Sequence, residues 1–117
     1  MAAPQIEDYE FGHIVIDGQT YTDDVIIRPD GVQVGWEKRS EKHQLTRKDI
    51  ETLLLEEPEV LILGLGAGAR LGLTRKAIAC LEASGVDWRA LSTRKACKAY
   101  NRERKGKRVV AALHLTS

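Results

Sequence analysis

At 117 residues, 43% of them apolar and 30% charged, the chain has enough material for a domain-sized hydrophobic core and is not composed like a disordered segment. The net charge of +1 is unevenly placed: residues 1–60 carry 6 Lys/Arg against 14 Asp/Glu, and residues 61–117 carry 12 against 3. No apolar run approaches the ~20 residues of a membrane-spanning helix; the longest, Val60 to Leu65, is strand-sized.

Met1 to Asp8 has neither the basic and apolar regions of a secretory signal nor the arginines of a mitochondrial presequence, so the expected location is the cytoplasm and no membrane contact is expected. Cys80 and Cys97 have no C-x-x-C spacing and no paired histidine. They read as buried thiols of a reducing compartment, without disulfide, metal or cofactor.

In chain order, the first third reads as β structure. Phe11 to Ile16 forms a strand, and Asp17-Gly18 supplies the positive φ angles of a type I′ hairpin before Gln19 to Tyr21 returns. Asp24 to Ile27 is a further strand, ended by the turn residues Pro29-Asp30-Gly31, and Val32 to Trp36 alternates as another. Lys38 to Gln44 lacks an apolar residue and is expected to be a mobile loop. Thr46, with Asp49 three residues on, opens a helix over Arg47 to Glu57 that buries Ile50, Leu53 and Leu54 and stops at Pro58.

From Val60 the pattern alternates strand and helix. Val60 to Leu63 is continuously apolar, as in a strand covered on both faces, and a glycine turn follows at Gly64 to Gly68. Thr74 caps a helix to about Ser84, with Ala77, Ile78 and Leu81 inward and Gly85 as its stop. Val86 to Leu91 is a strand, Ser92 or Thr93 caps a helix to about Lys105, and Val109 to Leu115 is the last strand. The order predicts one α/β domain over 1–117: a mainly parallel or mixed sheet flanked by helices, with the early hairpins as an added N-terminal layer. Leu61, Leu63, Ile78, Leu81, Val109, Val110 and Ala111 are expected to share one core.

The series Pro4-x-Ile6-x-x-Tyr9-x-Phe11-Gly12-x-Ile14-x-Ile16-Asp17-Gly18-x-x-Tyr21-x-x-Asp24-Val25 carries a family resemblance. It continues through Trp36, His43, Gly64-x-Gly66, Thr93-x-x-Ala96-x-x-x-Tyr100-Asn101 and Val110-Ala111-Ala112-x-His114. The chain resembles the family known as domain of unknown function four-nine-eight, which includes the adipogenesis-associated domain proteins and relatives of mitochondrial complex I assembly factor three. The resemblance covers nearly the whole chain. It implies a three-layer fold around a five-stranded mixed sheet, and it brings no established catalytic residue.

Two segments carry candidate chemistry. Gly64-x-Gly66-x-x-Ala69 after a strand has the form of a dinucleotide-binding turn, but the helix begins only at Thr74 and no acidic residue ends the next strand. The alternative is an anion pocket from Gly64, Gly66, Gly68, Arg70, Ser92 and Thr93, set against the plain reading of glycines in a tight strand exit. Ser92-x-x-Lys95 copies an acylating-hydrolase motif without its companion motifs and reads instead as a helix cap. His13, His43 and His114 have no ligand at helical spacing. A general base at His43 or His114 rests on nothing else in the chain, and Asp23-Asp24 reads as a turn-flanking pair.

The second segment is basic. Arg94, Lys95, Lys98, Arg102 and Lys105 fall on one helical stripe opposite Ala96, Ala99 and Tyr100, and Lys107 and Arg108 follow. Such a stripe contacts an acidic protein surface or phosphates, or is merely solvated. It has no aromatic residue for base stacking. The expected function is a non-catalytic accessory or scaffold protein acting through protein contacts, with self-association as a further option. The alternatives are an anionic-ligand-binding protein or enzyme using the Gly64–Gly68 loop, and an RNA-associated protein using the helix 93–105.

Overall fold

The structure, a computed structural model, describes residues 3–36 and 44–116. Three layers stack. The first holds an antiparallel sheet of β1 (Ile6–Glu10), β2 (His13–Ile16) and β3 (Gln19–Tyr21), together with α3 (Thr93–Glu103). The middle layer is a five-stranded sheet of β4 (Val25–Arg28), β5 (Gly31–Val34), β7 (Val60–Leu65), β9 (Asp87–Leu91) and β10 (Val109–His114), in the order β5-β4-β10-β7-β9. On its other face lie α1 (Arg47–Leu54) and α2 (Arg75–Ser84), with the short pair β6 (Gln44–Leu45) and β8 (Gly72–Leu73). This is the mixed α/β class expected. β10, β7 and β9 pair in parallel, and β4 is antiparallel to both β10 and β5, so β4 alone runs against the rest.

The period-2 alternation of the central strands divides their side chains between two cores. Val60, Ile62, Val109, Ala111 and Leu113 face the N-terminal sheet and α3, where they pack with Ile14, Ile16, Ala96 and Tyr100. Leu61, Leu63, Leu65, Val110 and Ala112 face α1 and α2 and meet Ile50, Leu53, Ala77 and Leu81. The expected single core is therefore two. Ile78 belongs to neither, being 37% exposed, because Ala77 and Leu81 define the buried side of α2.

The sequence pattern passes over β1 for a local reason. Its inward residues Ile6 and Tyr9 are three apart, an odd spacing for a strand, and a register irregularity between Ile6 and Asp8 against β2 returns both to the core face. The Asp17-Gly18 turn is as expected, with φ of 48° and 80° joining β2 to β3. α1 ends at Leu54, short of Glu57, and leaves Leu55 79% exposed. α3 ends at Glu103, placing Lys105 beyond it. In α2, the Thr74 hydroxyl accepts from the Ala77 N–H at 3.1 Å, and Gly85 closes the helix at φ 76°. Except for Gln44, the segment Lys38 to Gln44 lies outside the described residues, as does His43.

Candidate functional site

The carboxyl ends of β7, β9 and β10 meet at Thr93. Its hydroxyl accepts from the Gly66 N–H at 2.9 Å and donates to the His114 carbonyl at 2.6 Å, while its own N–H donates to the Gly66 carbonyl at 3.0 Å. Thr93 is fully buried. Gly64 is required here by space: a Cβ would lie 2.8 Å from Leu113 Cδ2 and 3.1 Å from Thr93 Oγ1. Gly66 is required by conformation, turning the chain at φ 97°. The amides that follow are also engaged, Ala67 with the Thr116 carbonyl, Ala69 with Gly66 and Leu71 with Leu65.

Of the residues that sequence grouped as an anion pocket, Gly64, Gly66 and Thr93 thus come together in a closed hydrogen-bonded joint. Gly68 and Arg70 lie on an exposed limb of the loop, the Arg70 stem running beside Gly68. Ser92 occupies the N-cap of α3 but makes no side-chain capping bond; Thr93 spends its hydroxyl across the strands. After the loop the chain passes through β8, and α2 starts only at Arg75, so no helix opens at Gly66 as a dinucleotide turn requires.

Beside this joint stands a pair that sequence spacing conceals. His114 Nδ1 lies 2.7 Å from Asp24 Oδ2, and Asp24 Oδ1 accepts from the Leu115 N–H at 2.8 Å. The Asp24 carbonyl accepts from the Gly35 and Trp36 amides, locking the end of β5 to the same corner. The two residues come from opposite ends of the chain and meet because β4 pairs with β10. His114 Nε2 is 3.4 Å from Thr116 Oγ1. His13 faces Asp8 at 4.0 Å on the exposed surface of the N-terminal sheet. Among the described residues no three potential ligands gather into a metal site.

α3 displays the basic stripe. Ala96, Cys97, Ala99 and Tyr100 are buried, whereas Arg94, Lys95, Lys98 and Arg102 are exposed, with Lys105 exposed just past the helix. Arg94 pairs with Glu10 at 3.1 Å and its guanidinium stands 5.4 Å from the Tyr9 ring centre. Arg102 approaches Glu103 at 3.6 Å. Glu103 also binds Lys107 at 3.0 Å and Arg89 at 2.9 Å, and these two cations hold its carboxyl below the usual carboxylate range. Among the described residues Lys95, Lys98 and Lys105 have no ion-pair partner.

The signature residues of α3 hold the N-terminal segment. The Tyr100 hydroxyl donates to the Pro4 carbonyl at 2.6 Å, and the Asn101 amide accepts from Ile6 N–H at 2.9 Å and donates to Ile6 C=O at 2.7 Å. Arg104 reaches the Ala3 carbonyl at 3.0 Å. Burial pushes the Tyr100 phenol up, so it remains a proton donor at neutral pH. Tyr9 similarly donates to the Leu115 carbonyl at 3.1 Å.

Fold and geometry together define a small mixed α/β protein whose signature residues Thr93, Tyr100, Asn101, Asp24 and His114 are spent on hydrogen bonds that tie its elements to one another. The chain belongs to the family described as Protein of unknown function (DUF498/DUF598), whose model matches residues 6–114. It is similar to the conserved hypothetical protein PH1505 from Pyrococcus horikoshii OT3 at 28% identity and a TM-score of 0.84, over 97% of this chain and 99% of that one. It is also similar to MT938 (28% identity, TM-score 0.79, covering 98% and 100%) and to a Bordetella parapertussis protein (28%, 0.79, 98% of each). None of the described helices is long and apolar enough to cross a membrane.

Proposed function

We propose that the protein is a non-catalytic accessory protein that acts by binding an acidic protein surface through the outer face of α3. The supporting observation is the segregation of that helix: one side is packed into the core, and the other presents Arg94, Lys95, Lys98 and Arg102 to solvent. The three lysines without ion-pair partners among the described residues leave positive charge for a partner to neutralise. Internal use of the Gly66, Ala67, Ala69 and Leu71 amides also favours this reading over a phosphate cradle. Two cysteines without a disulfide suit the reducing cytoplasm in which we place the protein.

The test compares parent and the Lys98→Glu/Arg102→Glu variant in quantitative affinity capture from the native cell, at low and raised salt. A protein retained by the parent, lost by the variant and released by salt supports the proposal, since exposed charges are screened beyond about 8 Å at physiological ionic strength. Equal retention by both proteins overturns it. Co-purifying nucleic acid released by the same variant assigns the stripe to RNA. Saturable phosphate-induced shifts at Gly68, Arg70 and Ser92 assign function to the strand-end loop.

A further inference from the structure

Two short parallel strands set the geometry of a second surface, on the face of the central sheet opposite α3. Leu45 of β6 pairs with Leu73 of β8, and the Thr74 N–H donates to the Leu45 carbonyl at 3.0 Å. Thr46 and Thr74 follow directly as N-caps, so α1 and α2 start side by side and run in the same direction. Their opposite sides are buried on the sheet through Ile50, Leu53, Ala77 and Leu81. Between their outer sides runs an open groove of about 450 Å³, floored by Leu54, Ala79, Cys80 and Ala83. Arg47 and Lys76, from the first turns of the two helices, also line it.

We propose that this groove receives an amphipathic helix of a partner protein, acidic at its C-terminal end and running antiparallel to α1 and α2. Length and shape support a helical occupant. The two walls are about 12 and 15 Å long at 1.5 Å per residue, and the small Ala79 and Ala83 side chains admit a helical ridge between them. Charge fixes the chemistry and the direction. Arg47 and Lys76 stand where the positive ends of both helix dipoles also point, so acidic side chains and the negative end of the incoming helix belong there. Arg47 already meets Glu51 at 3.1 Å, both side chains being exposed, whereas Lys76 has no ion-pair partner among the described residues. The partner's apolar stripe then covers Leu54, Cys80 and Ala83. This surface is separate from the α3 stripe, and the two proposals stand or fall independently.

The experiment is amide chemical-shift titration of the full chain with two synthetic amphipathic helices of about four turns. They share one Leu/Ala stripe and carry either Glu or Lys in the C-terminal turn. The Glu peptide should saturably shift Leu54, Ala79, Cys80 and Ala83. Lys76→Glu should weaken it about threefold, the size of one exposed ion pair, and should strengthen the Lys peptide by a similar factor. Ala83→Arg fills the floor at an exposed position and should weaken binding more than about tenfold, as loss of a central contact does. Shifts elsewhere that match the parent show that the variant is folded. The proposal fails if neither peptide saturates at millimolar concentration, if both bind equally, or if Ala83→Arg binds like the parent. It fails equally if the groove amides respond to decanoate and not to peptide, or if sedimentation shows a self-dimer that Ala83→Arg dissociates.

Discussion

The hydroxyl of Thr93 ties two strand ends at once, accepting from the Gly66 amide at 2.9 Å and donating to the His114 carbonyl at 2.6 Å. Both Thr93 and Gly66 are buried, so removing the hydroxyl leaves an amide without its partner where water does not replace it. Thr93→Val should lower the unfolding free energy by about 1–3 kcal/mol, and Thr93→Ser by clearly less. Urea unfolding of the pair checks this. Equal losses would show that the methyl group contributes as much as the hydrogen bonds, and a loss confined to Thr93→Ser would assign the stability to the methyl group alone.

Gly64 and Leu113 should be energetically coupled. A Cβ on Gly64 would meet Leu113 Cδ2 at 2.8 Å, inside a well-packed core. Gly64→Ala should cost about 1–3 kcal/mol through overpacking. In combination with Leu113→Ala, which frees that space, the double variant should be less destabilised than the sum of the singles by about 0.5–3 kcal/mol. A strictly additive cycle would place the cost of Gly64→Ala at its other close contact, Thr93 Oγ1 at 3.1 Å.

Core position should separate two residues that the sequence treats alike. Leu63 is fully buried and Ile78 is 37% exposed. Leu63→Ala should cost about 2–5 kcal/mol, whereas Ile78→Ala should cost about 1 kcal/mol or less. Chemical denaturation midpoints measure both, and comparable shifts would contradict the placement of Ile78 outside the core.

Lys107 and Arg89 hold the Glu103 carboxyl below its ordinary range in the fold. A carboxyl group whose folded-state value is depressed stabilises the fold above its unfolded-state value, about 4.3 for glutamate. That contribution fades as pH falls through the folded-state value. Parent and Glu103→Gln should therefore differ in stability at neutral pH and converge in acid. A difference that persists unchanged into acid would assign the effect to packing.

Burial pushes the Cys97 thiol up to about 12, while Cys80 is only partly buried. Since the thiolate is the reactive form, a thiol reagent at pH 8 should label Cys80 in the folded protein and leave Cys97 unmodified until the chain unfolds. Peptide mapping after timed labelling checks the order. Equal rates would show that the α3 side of the core opens readily.

By itself the sequence determined the elements whose signals are local. The Asp17-Gly18 hairpin is written in two residues that accept positive φ, α2 in its Thr74 cap and Gly85 stop, and the covered strand β7 in an unbroken apolar run. The exposed stripe of α3 was equally legible, because helical spacing alone sets cations opposite Ala96 and Tyr100. The tertiary structure alone decided what depends on partners distant in the chain. β1 became a strand only when a register irregularity against β2 turned Ile6 and Tyr9 inward. Alternation along β10 divides Val109 and Ala111 from Val110, making two cores of what reads in sequence as one apolar run. Thr93, legible as a helix cap, became a tie between strands because β7 and β10 end beside it. The Asp24–His114 pair exists because β4 lies antiparallel against β10, a pairing that brings together residues 90 positions apart. Such contacts leave no period in the sequence, since each residue's local pattern is satisfied whichever partner it meets.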